Sequence, residues 1–373
     1  MTIAERIKAI QRESSSDAPG DPERFRRVAL TKAEMMSQAK AIRETLEANR
    51  APLAQIAADL APRQIRRVVM IGCGDSWISG YGVRHAMEQA LGAVCEPYEA
   101  FDFDCYGTEM ADAGTIVIGL SSSGKTEPVI EGMKKAAARG AYTIGLSNTL
   151  GSPLMEEFPG ALHIRATRGG WPTQSSTAAM ALKLALATEI ARAKGTHPDI
   201  VAELDAGLAA LPDQVDAVAQ AFYTPAEELA RKLARADLVL LCGAGGAYAP
   251  AAFGAAKLKE LAPIHAISFP LEEYHHYRTQ KAGDPLFLIA PDAQSHQRAV
   301  ETAIMSRGCD GFCVALVPEG ETEIAGIADL AWHLPRVGDA FAPILYAVPL
   351  HLFGYHAAVE RDALGLGAPR LGG

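Results

Sequence analysis

Short, continuous apolar runs alternate along this chain with longer segments of helical period. The apolar runs predict buried strands at 68–71, 93–98, 115–120, 142–146 and 162–166. Helical patterns fill 79–91, 127–139 and 173–193 between and after them. The stretch KGTHPDI at 194–200 breaks the pattern, and a helical linker follows through residue 234. Alternation then restarts, with strands at 238–242, 265–269, 286–290, 312–317 and 331–334 and helices at 249–261, 295–307 and 340–360. Strand–helix alternation with apolar strands predicts parallel sheets covered by helices on both faces. Before the first strand, residues 13–22 read as loosely held. Residues 31–60 read as helix, opened by a capping box of Thr31 and Glu34.

The two halves share a pattern. VVMIGCGDSWISGYGVRHAMEQALG starts at Val68, and LVLLCGAGGAYAPAAFGAAKLKELA starts at Leu238. Each runs strand, glycine-rich turn, small-residue helix, which predicts an internal repeat. The expected fold class is therefore α/β, with two copies of one doubly wound parallel-sheet domain. The expected division is an N-terminal segment and helix at 1–49, a first domain at 50–208, and a second domain with the C-terminal tail at 209–373. Ligands of such sheets bind beyond the carboxyl ends of the strands, so both glycine turns are expected at one functional edge.

Composition narrows the partners. Net charge is −9, from 35 basic and 44 acidic residues, which argues against nucleic acid or an anionic membrane as partner. No run reaches the roughly 18 apolar residues of a membrane span, and the polar N-terminus lacks an apolar signal core. Of the six cysteines, Cys309 and Cys313 are close, but no second pair completes a metal site. The expectation is a cytoplasmic protein with reduced thiols, no metal and no cofactor.

One string carries chemistry. GLSSSGKTEP at 119–128 matches the Walker A pattern G-x-x-x-x-G-K-[ST]. It ends a strand and opens a helix, with Pro128 in the first turn, so free N–H groups and a positive dipole end are on offer. Ser121, Ser122, Ser123 and Thr126 add hydroxyls, and together these predict a phosphate cradle. A capping turn with no ligand is the plainer alternative, but one cap does not need four hydroxyls. A nucleotide triphosphatase would also need an acidic strand end for magnesium. The candidate, Asp292, lies in the other half, and the duplication would stay unexplained. A dinucleotide fold is weaker still, because Gly72 and Gly74 lack the remaining glycine of that fingerprint.

With these residues in view, the chain resembles the SIS (sugar isomerase) domain family from about residue 31 to 370. It is most similar there to the tandem isomerase half of glucosamine-6-phosphate synthases. It is also similar to stand-alone relatives that deaminate or deglycate amino-sugar phosphates. The resemblance implies flavodoxin-like SIS domains and a phosphate loop at Ser121, Ser122, Ser123 and Thr126, with Lys125 in a variable position. It implies sugar contacts from the turn Cys73, Gly74, Asp75 and Ser76, where Asp75 departs from the family pattern and would bring a negative charge near the sugar. A third contact stretch is implied at Thr173, Gln174, Ser175 and Ser176, beside an unusual Trp171.

In the second half, KLKE places Lys257 and Glu260 on one helix face. A surface ion pair is the plain reading of that spacing. The resemblance implies instead that Glu260 moves a proton between sugar C1 and C2. It also implies that His276, after Glu273, opens the sugar ring in the site of a neighbouring subunit, with His275 one residue away. Base and imidazole suffice for aldose–ketose chemistry without a cofactor. The implied protein is a homodimer that binds a small sugar phosphate and acts as a phosphosugar isomerase or an amino-sugar-phosphate deaminase or deglycase. A regulatory protein that binds sugar phosphate without turnover is the alternative. Two departures bear on the reaction. Met1-Thr2 offers no cysteine nucleophile, so no glutaminase is expected, and the tail APRLGG stops before the site lysine implied by the resemblance.

Overall fold

A computed structural model describes residues 2, 3, 5, 21–277 and 280–366. Residues 13–20 of the stretch 13–22 expected to be loose, Arg278 and the tail from residue 367 lie outside them; the last two residues of that stretch, Asp21 and Pro22, are instead the cap and first residue of a helix. Asp21 caps the first helix, α1 (Pro22–Met35), by accepting from the Glu23 and Arg24 N–H groups. The predicted start at Thr31 is therefore corrected. Thr31 sits inside α1, and its hydroxyl accepts from Trp171 N at 2.9 Å, while Glu34 accepts from Gly169 N and Gly170 N. Both residues are spent on holding a distant loop. The single helix predicted to residue 60 is broken into α1, α2 (Gln38–Ala48) and α3 (Arg50–Leu60).

The first sheet comprises β1 (Arg67–Gly72), β2 (Val94–Glu99), β3 (Thr115–Leu120), β4 (Tyr142–Ser147) and β5 (Gly160–His163), in the order β2-β1-β3-β4-β5. The second comprises β6 (Leu238–Gly243), β7 (His265–Pro270), β8 (Pro285–Ile289), β9 (Phe312–Pro318) and β10 (Leu330–Leu334), in the order β10-β9-β8-β6-β7. Read from its own second strand, the second sheet repeats the order of the first. All pairings are parallel, as their buried apolar strands predict.

Each first strand feeds a helix: α4 (Asp75–Leu91) in the first half and, after a short turn, α8 (Tyr248–Leu261) in the second. The other long helices are α5 (Glu127–Ala138), α6 (Gln174–Lys194), α7 (Pro198–Leu233), α10 (His296–Gly308) and α11 (Ala342–Ala363), with the short α9 (Leu271–Tyr277) following β7. Helix α7 runs 36 residues without interruption, so the expected boundary at 208/209 falls inside it. It packs along α11, and α4 packs against α8, so the halves share a continuous core. Contrary to the sequence expectation, α11 is long and apolar enough to cross a membrane, but it is a buried core helix.

Candidate functional site

The glycine turn and the serine loop leave the first sheet side by side, because β1 and β3 are neighbours in register, with Ile71 opposite Gly119. Gly72 has no room for a side chain: an added Cβ would lie 2.7 Å from the Ser76 Cβ, so the turn closes tightly under the start of α4. Gly124 has φ +64°, and a Cβ there would meet the Ser152 hydroxyl. The loop therefore folds back on itself. Ser121 Oγ lies 2.7 Å from Thr126 Oγ1 and 3.3 Å from Ser123 Oγ, and accepts from Gly124 N at 3.1 Å. With Thr126 at the N-cap of α5, hydroxyls and helix N–H groups converge on one spot.

A cavity of about 540 Å³ opens there. Cys73, Gly74, Asp75, Ser76, Ser121, Ser122, Ser123, Thr126, Ser175 and Glu260 all line it. Glu260 comes from α8 of the second half, so the cleft is built by both halves. Lys125 is exposed and outside the lining, and Asp292 borders a different cavity. Walker chemistry has no geometry here.

Ser176 lines the cleft as well, but Thr173, Gln174, Lys257 and His276, all implied for the site, do not; Gln174 is buried and donates to Thr167 Oγ1 at 2.6 Å. Thr173 is fully buried. Lys257 is fully buried beneath the wall, where it can act only through its partners. Its Nζ lies 3.1 Å from Asp75 Oδ2 and 2.5 Å from Glu260 Oε2. His276 sits on α9 with its side chain 64% exposed, pairs with Glu272 at 3.3 Å, and faces solvent in a single chain. His275 is turned to Thr302 at 2.8 Å.

The electrostatics of the Asp75–Lys257–Glu260 group follow from burial. Burial pushes the Glu260 carboxyl above its ordinary value; Lys257 pulls it back, and the Asp75 charge adds to the rise. Burial opposes charge on Lys257, but the Asp75 and Glu260 carboxylates outweigh it and hold the ammonium above its ordinary value. Asp75 lines the cleft as an ion-paired group: it lies against Lys257 and accepts from Ser176 Oγ at 3.2 Å. Burial, followed by Glu99, pushes the Cys73 thiol up to about 11, so it stays a neutral lining group.

Sequence reasoning missed further lining residues. Arg168 lines the cleft and donates to Thr149 Oγ1 at 2.9 Å, bringing a cation beside the serine loop. Asn148 lines it too, as does Lys259, one residue before Glu260. Trp77 and Tyr248 form an aromatic wall bridged by Tyr81, with ring centroids 5.5 and 5.3 Å apart. The signal for that wall was present: Trp77 and Tyr248 hold the same place after the two glycine turns. Trp171, the unusual neighbour of the hydroxyl-rich stretch, is outside the cleft lining; it is buried beneath Arg27, whose guanidinium lies 4.2 Å from the ring centroid.

Comparison with known proteins bears on the fold and the family. Residues 63–189 match the model of the SIS domain. A glutamine–fructose-6-phosphate aminotransferase (isomerizing) from Bacteroides thetaiotaomicron is 29% identical over 303 residues, covering 79% of this chain and 48% of the relative. The chain spans about half the length of the curated relatives it matches. The C-terminal domain of glucosamine-fructose-6-phosphate aminotransferase from Francisella tularensis superposes with a TM-score of 0.80 at 20% identity, covering 89% of this chain and 96% of that one. A glucosamine-6-phosphate deaminase from Thermotoga maritima does so with a TM-score of 0.66 at 18% identity, covering 89% and 94%. At these identities the two structures establish the shared fold.

Proposed function

Residues 63–189 of this chain belong to the SIS domain family, and from that premise we propose that the cleft binds a hexose phosphate and moves a proton between its C1 and C2. One observation carries the reading. A hydroxyl-rich loop at a helix N-terminus and a carboxylate with a raised pKa, contributed by opposite halves, line the same cavity.

The loop Ser121–Thr126 grips the phosphate monoester, with Arg168 adding positive charge at its edge. The grip is remote from the reacting carbons, so its binding energy fixes the open-chain sugar against Glu260. Glu260 takes the C2 proton of the open-chain aldose and delivers it to C1, while the O2 hydroxyl proton moves to O1, giving the ketose; the reverse steps return the aldose. With an amino group at C2 the same transfer yields an imine, which water hydrolyses with release of ammonia. That step makes deamination the close alternative to isomerisation. A homodimer completes the site: His276, exposed in one chain, opens the sugar ring in the cleft of a second copy.

A thermal-shift panel of hexose phosphates, amino-hexose phosphates and nucleotides, followed by turnover of each stabilising compound, tests the reading. Stabilisation by a sugar phosphate with conversion supports it. Stabilisation without conversion makes this a regulatory binding protein, and stabilisation only by ATP with magnesium contradicts the reading outright.

A further inference from the structure

The Lys257 ammonium carries three N–H groups. Asp75 and Glu260 take two of them, and no third acceptor among the described residues lies in hydrogen-bond range. On the other side of the same helix seam lies His351 of α11, fully buried, with its Nε2 lacking any partner. A buried ring nitrogen left bare costs stability, so a native core rarely keeps one without a use.

The seam is tight. An added Cβ at Gly354, one turn after His351, would lie 2.7 Å from the Lys257 Cβ. The His351 ring lies 6.0 Å from Phe253, which is one turn before Lys257. The tautomer of His351 follows from its other neighbours. Gln38 Nε2 donates to Met35 O at 2.9 Å, which fixes Gln38 Oε1 as an acceptor. That oxygen lies 3.2 Å from His351 Nδ1, so Nδ1 carries the proton and Nε2 the free lone pair. Thr177 also donates to Gln38 Oε1 at 3.2 Å and locks the amide. Burial, then the Lys257 charge, pushes the imidazole down to about 3, so it remains neutral. A spare donor and a spare acceptor thus share one buried seam.

We propose that His351 is a positioning residue for the Lys257–Glu260 pair, its Nε2 serving as the acceptor to which Lys257 turns when Glu260 becomes protonated. The inference rests on the proposed role of Glu260 as the proton carrier. When the C2 proton arrives on the carboxylate, Lys257 loses one of its two anions. Asp75 remains, and Nε2 takes the N–H that Glu260 no longer holds strongly. The ammonium stays charged and satisfied in the core, so the protonated state of Glu260 is cheaper to reach. Of the other charged groups, Arg27 acts on Glu260 from α1, and only Lys257 acts on His351.

Two variants and one structure test this. His351→Leu removes the acceptor and keeps the packing, whereas His351→Gln keeps both a donor for Gln38 and an acceptor for Lys257. The expected result for His351→Leu is a kcat about tenfold lower with KM unchanged, the loss of one hydrogen bond to a charged group. The acid limb of its pH profile should also move to lower pH, because protonated Glu260 loses support. His351→Gln should restore most of both. A folded Leu variant with wild-type kcat and acid limb overturns the proposal, as does a Gln variant as impaired as Leu. A crystal structure of Glu260→Gln, whose side chain is always neutral, needs neither turnover nor a His351 variant. It should show Lys257 Nζ turned from residue 260 and donating to His351 Nε2 at roughly 3.2 Å or less. Lys257 unmoved with Nε2 still bare overturns the proposal even if turnover is confirmed. Absence of turnover on every sugar phosphate would sink the functional reading and leave this structural test standing.

Discussion

The chain holds two clefts of similar construction and opposite character. The first is lined by the turn at Cys73–Ser76, the loop at Ser121–Thr126 and the face of α8. The second, of about 920 Å³, is lined by Ala244–Ala247, by Pro291, Asp292, Gln294 and Ser295, and by the face of α4. Each sheet thus supplies a turn and a loop, and borrows a helix face from the other half. The sequence pattern placed both glycine turns at one functional edge; the structure separates them into two cavities, because α4 and α8 pack against each other and each faces the other's turn.

Counted from Gly72 and Gly243, Glu260 corresponds to Gln89, Lys257 to Ala86 and Lys259 to Glu88. Gln89, Ala86 and Glu88 all line the second cleft. Where the first cleft has a carboxylate backed by a buried lysine, the second has an amide backed by a methyl group. Arg168 and Lys259 bring positive charge to the first. Glu88, Glu203, Asp292 and Asp339 dominate the second, where burial, followed by the Asp292 charge, pushes the Asp339 carboxyl above its ordinary value. The two halves share a scaffold, and on the proposed reading a few side chains at equivalent places distinguish the cleft that would hold a phosphate and carry a proton from the one that would not.

The largest expected effect separates those equivalent places. Glu260→Gln should lower turnover by roughly 10² to 10⁴, as removal of a general base does, whereas Gln89→Leu should leave it unchanged. Equal losses in steady-state assays would erase the distinction between the clefts. Next come the phosphate loops. Ser123→Ala and Thr126→Ala should each weaken sugar-phosphate binding by roughly 1–3 kcal/mol, measured by calorimetry. Lys125→Ala should do less, and Ser295→Ala in the second cleft nothing. Loss of all binding in Lys125→Ala with the hydroxyl variants intact would return the Walker reading.

A third expectation concerns assembly. Mixing Glu260→Gln chains with His276→Asn chains should recover up to about a quarter of wild-type activity, since random exchange makes half the dimers mixed, each with one intact site of two. No recovery after verified exchange would mean that the two residues act within one chain or that one is not catalytic. The smallest effect is in pH. Glu260 works as a base only when ionised, and its pKa is raised. The acid limb of kcat/KM should therefore lie above the roughly 4.3 of an ordinary glutamate, with activity lost as pH falls through it. Lys257 is held above its ordinary value of 10.5, so no alkaline loss from that group is expected near neutrality. An acid limb at an ordinary glutamate value would contradict the buried pair.

Much of this was legible from residue pattern, because strands buried on both faces must be apolar throughout. The predicted run 115–120 is β3, and 142–146 differs from β4 by one residue. The hydroxyl loop and KLKE were legible for a similar reason: their residues are close in sequence. What stayed hidden depends on contacts across the chain. Thr31 and Glu34 spell a capping box, yet they bind the 167–171 loop more than a hundred residues away. Asp75 read as a charge facing sugar until Lys257 was found beneath it. Arg168 has no local motif at all; it is tied to the cleft through Thr149, which accepts from Arg168 and donates to Ser122 O in the serine loop.

Solvent deuterium incorporation tests the central claim most directly. The wild-type protein is incubated in deuterated buffer with whichever sugar phosphate stabilises it, and the sugar carbons are followed by proton NMR. Deuterium is expected at C1 or C2 with the wild type and none above background with Glu260→Gln, while calorimetry shows that the variant still binds the phosphate ligand. Incorporation that persists in Glu260→Gln, or a wild type that binds a sugar phosphate without exchanging any carbon-bound proton, would contradict that claim.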